Sequence, residues 1–74
     1  MAMIKGDITI GYRAYEEVLR IFPRMIDATS ALGCKDQNIY SWHNGVSPSA
    51  KFLARLIMVG ADVHYILLGR RMQK

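Results

Sequence analysis

Apolar residues recur along this chain at helical spacing in successive segments, and each segment is bounded by a residue type that starts or stops a helix. Tyr15, Val18, Leu19 and Phe22 stand at i, i+3, i+4 and i+7 and predict a first helix over residues 12–22 with those four side chains inward. Pro23 interrupts it and is suited to open a second helix, over about 24–32. Gly33 falls where the chain must leave that helix, because glycine enters the left-handed conformation at no steric cost. A third helix follows over about 36–43, stopped by Gly45. Ala28 and Leu32 lie four apart, Ile39 and Trp42 three apart, and with Cys34 in the turn all five can point into one core. Ser47 and Pro48 form an N-cap and first-turn pair for a fourth helix reaching about Val59, with Phe52, Leu53, Leu56 and Ile57 inward and Gly60 closing it. Asp62 caps a fifth helix over 63–68 with Val63, Ile66 and Leu67 inward, and Gly69 ends it. The expected fold is therefore all-α, a compact five-helix domain over 12–69.

The flanks differ from this pattern. In residues 1–11, Ile8 and Ile10 alternate with Asp7 and Thr9, which suits a strand too short to stand alone. This arm either pairs with the same segment of a second subunit or stays loose. Residues 70–74 form a basic tail carrying Arg70, Arg71 and Lys74, and such tails are ordinarily just solvated.

The third helix is unusual in its outward face. Once Ile39 and Trp42 are turned inward, the remainder is Asp36, Gln37, Asn38, Tyr40, Ser41 and His43, with Asn44 after them. A helix face rich in hydrogen-bond donors and acceptors is what reading base edges in a major groove requires.

Leu32 and Gly33, the Ile39-x-x-Trp42 pair, Asn44-Gly45, the segment SPSAKFLARL and the ending GADVHYILLG together resemble the lambda-repressor-like helix-turn-helix domains, in particular those of phage repressors and Cro-type regulators. The resemblance covers most of the chain, from about Tyr12 to Arg70. It implies a sequence-specific operator-binding transcriptional regulator that acts as a homodimer on double-stranded DNA. It also assigns roles. Asp36, Gln37 and Ser41 face base edges; the Gln37 amide can pair bidentately with adenine, Asp36 can accept from a cytosine amino group, and Tyr40 can meet a thymine methyl or a phosphate. Arg24, Lys35, Asn44, Ser47, Ser49 and Lys51 flank the reader as phosphate contacts, with backbone amides at the start of the fourth helix suited to a phosphate. Tyr65 and Leu68 are the expected dimer contacts, left over once the fifth helix has turned its other apolar residues inward. Three positions depart from the family pattern. Met25 stands where glutamine is usual, Thr29 where alanine is usual, and Lys35 where a serine or threonine cap is usual. The last allows the reader to begin a residue late, with Asp36 as its cap. The reader also lacks arginine and lysine. The acidic start of the reader at Asp36 and the absent contact at Met25 keep open an alternative, a protein-interaction module on the same fold such as an antirepressor that binds a repressor, and a regulatory protein partner in either case.

Composition narrows the remaining classes. Seventy-four residues permit one domain near the lower size limit for an unstapled core. The formal net charge of +4 favours polyanions, with phosphate contacts that imply a steep salt dependence. A single cysteine forms no internal disulfide, and neither a C-x-x-C motif nor a His/Cys cluster suggests a metal. No cofactor is expected. The chain has no nucleophile and base constellation and no phosphate loop, so an enzyme is not expected. No apolar run approaches membrane-spanning length, and Lys5, Gly6 and Asp7 interrupt any signal-peptide core; the expected setting is the cytoplasm, without a membrane partner. No second regulatory domain is expected beyond Gly69, and occupancy of a target is then expected to follow the protein's own concentration and dimer equilibrium.

Overall fold

A computed structural model of the chain describes residues 10–70, and these form α1 (Ile10–Ile21), α2 (Met25–Leu32), α3 (Asp36–His43), α4 (Ala50–Met58) and α5 (Val63–Leu68), with no strand among them. The all-α expectation holds. Every helix contributes to one core, made of Ala14 and Val18, Ala28 and Leu32, Ile39 and Trp42, Leu56, and Ile66. Trp42 meets Phe52 edge-on with ring centroids 5.6 Å apart, a geometry that aromatic quadrupoles favour.

α1 corrects the sequence expectation twice. It begins at Ile10, inside the stretch read as an arm, and Ile10 packs against the core and belongs to no strand. The rest of the arm, residues 1–9, lies outside the described residues, as do Arg71 and Lys74 of the tail. The buried face of α1 is Gly11, Ala14, Glu17 and Val18; Leu19 is 50% exposed, and Tyr15 and Phe22 are only half-buried. The reason is close approach. A Cβ on Gly11 would lie 2.8 Å from the Trp42 carbonyl oxygen and clash with Val46 as well, so α1 meets the end of α3 backbone to backbone along its small residues.

Buried Glu17 is the polar member of this face. Its carboxylate accepts from the Asp62 backbone N–H at 2.8 Å and from Arg20 Nη2 and Nε at 2.8 and 3.1 Å. The α4–α5 junction is thereby tied to α1. Arg13 Nε donates to the Ile66 carbonyl at 2.9 Å and so covers the end of α5, where last-turn carbonyls have no helical partner. Arg55 Nη1 does the same for α2, donating to the Leu32 carbonyl at 2.9 Å.

The α2–α3 connection follows its glycine. Gly33 is left-handed at φ +68°, and its N–H and that of Cys34 both donate to the Thr29 carbonyl, at 2.8 and 3.1 Å. Elsewhere the caps shift. α2 begins at Met25 with Arg24 as N-cap, so Pro23 precedes the helix and does not open it. α4 begins at Ala50 with Ser49 as N-cap, its Oγ accepting from Phe52 N–H at 3.4 Å; Ser47 does not cap it and Pro48 is buried. Ile57 and Leu67, expected inward, are 58% and 42% exposed, which leaves Leu56 and Ile66 as the buried anchors of α4 and α5. Among the described residues no helix is long and apolar enough to cross a membrane.

Candidate nucleic-acid interface

α3 has the predicted bounds. Its N-cap is Lys35, in extended backbone, and Asn38 reaches back so that its Oδ1 accepts from the Lys35 N–H at 3.3 Å. Asp36 is therefore the first helical residue and not the cap, and a carboxylate in a helix's first turn is favoured by the macrodipole. Ile39 and Trp42 fix the inner side. At 3.6 residues per turn, Gln37 and Asn44 stand opposite them, flanked by Tyr40 on one side and Ser41 on the other.

The proposed readers are not equivalent. Gln37 is exposed and at the apex. Tyr40 is 46% exposed. Ser41 is half-buried and its hydroxyl donates to the Asn38 carbonyl at 2.6 Å, leaving acceptor capacity only. Asp36 sits toward α2 on the wall of a cleft of about 440 Å³ that Met25, Ile26, Thr29, Lys35 and Gln37 complete. Thr29 is accommodated there because its hydroxyl donates to the Ile26 carbonyl at 3.1 Å. Ile26 itself is 67% exposed.

The flanking residues fall on both ends of α3. Arg24 and Lys35 lie before or at its start, Asn44 directly after it, and Ser47, Ser49 and Lys51 beyond; all are exposed. Arg24 pairs with Asp27 at 3.2 Å, which offsets its charge locally. Asn44 Oδ1 lies 3.4 Å from His43 Nδ1. Lys51 Nζ sits 5.9 Å from the Phe52 ring centroid and stays at the surface. Ser49 is occupied as the α4 cap, while the amides of the first turn of α4 remain without helical acceptors. Of the two expected dimer contacts, Tyr65 is half-buried and its hydroxyl donates to Glu16 Oε1 of its own α1 at 2.6 Å, whereas Leu68 is 61% exposed beside exposed Leu67.

Sequence reasoning missed two groups. One is the set of arginines that cover helix ends, whose signal was their neutral partners, carbonyls invisible in a residue pattern. The other is a run of rings joining α1 to α3, in which Tyr12, Tyr15, Tyr40 and His43 approach one another; Tyr12 and Tyr15 at i and i+3, with Tyr40 and His43 at the same spacing, could have suggested it. Burial pushes the Cys34 thiol above the ordinary range, and Arg55 only partly offsets this. Among the described residues no group of three or more His, Cys, Asp or Glu side chains could hold a metal ion. No family model matches the chain, and neither curated proteins nor solved structures give a match.

Proposed function

We propose that this protein is a sequence-specific DNA-binding transcriptional regulator of the lambda-repressor-like helix-turn-helix type, in which α2 supports α3 and α3 enters the major groove. The observation that carries the reading is α3 itself. Its apolar side is fully committed to the core, and its opposite side presents Gln37, Asn44 and Tyr40 to solvent on a rigid helix. Gln37 is the base reader by its apex position, with Ser41 as an acceptor and Asp36 at the rim toward α2. Lys35 and Lys51 meet phosphates on either side as the charged contacts, together with Asn44, Ser47 and Ser49, while Arg24, its charge offset by Asp27, adds a hydrogen-bonding contact only. Exposed Leu67 and Leu68 supply apolar surface for a two-fold contact that would bring two α3 helices to two half-sites. A cytoplasmic setting goes with this role.

One observation favours a second reading, a protein-interaction module on the same fold. The cleft between α2 and α3 carries exposed Ile26 next to Asp36, an apolar and acidic pair better suited to a protein partner than to a phosphate wall.

Titration against a duplex recovered by selection from a random-sequence pool, and against random duplex, separates the two. The DNA reading expects a clear preference for the selected duplex, and Gln37→Ala should remove about 1–3 kcal/mol of that preference while leaving binding to random duplex nearly unchanged. Equal affinity for both duplexes by the unaltered protein would favour the interaction module.

A further inference from the structure

The polar face of α3 continues onto α1 through a seam of four rings. Tyr15 is its hub, with ring centroids 4.7 Å from His43, 6.3 Å from Tyr40 and 6.2 Å from Tyr12, and Tyr12 lies 5.4 Å from His43. The planes meet at 38° to 69°, so the rings hold one another by edges and tilted faces and present no common flat surface. The Tyr15 hydroxyl has no hydrogen-bond partner among the described residues. Because no fully buried side-chain oxygen or nitrogen among them lacks a partner, that hydroxyl keeps some access to solvent. Tyr40, 46% exposed, likewise makes ring contacts and no hydrogen bond. Two phenol donors without a hydrogen-bond partner among the described residues thus stand on the α1 flank of a helix that has no lysine or arginine of its own.

We propose that this seam is a backbone-contact surface for duplex DNA, with the hydroxyls of Tyr15 and Tyr40 donating to phosphate oxygens along one wall of the groove that α3 reads. The inference rests on the DNA-binding reading above. The flank position suits groove walls, where positioning contacts are made, while the apex of α3 faces the bases. A phenol donating to an ionised phosphate makes a charge-assisted bond. It neutralises no phosphate and releases no counterion, so its contribution does not depend on salt. The tilted planes argue against base stacking on a single strand, which needs exposed ring faces.

Tyr15→Phe, Tyr40→Phe and the double variant keep the rings and delete only the hydroxyls. Titrated at several salt concentrations, each single variant should lose about three- to tenfold in affinity, equally for selected and random duplex and with an unchanged salt slope. Neutral methylphosphonate in place of one or two phosphates per half-site should make the unaltered protein bind as weakly as the variants and abolish the difference between them. Thermal midpoints within a few degrees of the unaltered protein check that the seam has kept its packing, and should Tyr15→Phe fail this, exposed Tyr40→Phe carries the test. Affinities within twofold of the unaltered protein, with Gln37→Ala still losing its preference, would overturn this proposal and leave the DNA reading standing. Failure of the unaltered protein to bind any duplex would overturn both. Tighter binding to single strands, lost on Tyr→Ala and kept on Tyr→Phe, would overturn it in favour of stacking.

Discussion

Glu17 is fully buried, yet the side chain of the arginine it pairs with is half exposed, so its two partners are unequal in energy. Arg20 can recover water if the carboxylate is lost, whereas the part-buried Asp62 N–H recovers it less readily. Loss of a hydrogen bond to a charged acceptor costs about 1–3 kcal/mol, and the cavity left by the fully buried side chain adds to it. Glu17→Ala should therefore destabilise the protein by about 2–4 kcal/mol in urea or thermal unfolding. Glu17→Gln keeps an acceptor for Asp62 and should cost roughly half as much. Equal losses for the two variants would mean that the charge on Glu17, and not its hydrogen bond to the backbone, holds the junction.

The elements depend on which small residues lie where helices cross. Gly11 lets α1 reach the Trp42 and Val46 carbonyls, and a methyl group there has backbone in front of it, which cannot swing aside as a side-chain tip can. Gly11→Ala should thus destabilise by about 1–3 kcal/mol through overpacking, even though alanine is the better helix former by about 1 kcal/mol. Denaturation of the pair of proteins checks the sign; a more stable alanine variant would mean that α1 and α3 can separate freely. The same residue shows what sequence could reveal. α5 is legible to the residue, with its Asp62 cap, apolar triplet and Gly69 stop in order, and α3 is legible in extent from its apolar pair and closing Gly45, though Lys35 left its start open by a residue. α1 is not, because its large apolar side chains form a convincing stripe while its true inner face is Gly11, Ala14 and Val18, residues whose value is their smallness. Ile57 and Leu67 were legible only as apolar, and no pattern tells that the core closes before reaching them. In the candidate interface the polar face of α3 could be read directly. Its extension onto α1 could not, since that depends on how two distant helices are set side by side.

Over the whole molecule the charge is distributed differently from what a net +4 suggests. Arg13 and Arg55 donate to helix-end carbonyls, Arg20 clasps Glu17, and Arg24 pairs with Asp27, so four of the basic groups are drawn into internal contacts. Beside α3 the exposed lysines of the described residues are Lys35 and Lys51. Each phosphate neutralised changes the slope of log affinity against log salt by about −0.9, so a dimer using both lysines twice should give a slope of about −4, and a monomer about −2. That is shallower than the steep dependence expected from composition. It follows that Leu68→Glu, which places a charge in the exposed apolar surface of α5, should give monomers by sedimentation and a slope cut to about half, with helicity intact. Lys51→Ala in the dimer should flatten the slope by about two and weaken selected and random duplexes alike. A slope nearer −8 would mean that cations other than the two lysines, either the capping arginines or the basic residues outside the helices such as Arg70, also meet phosphates on binding.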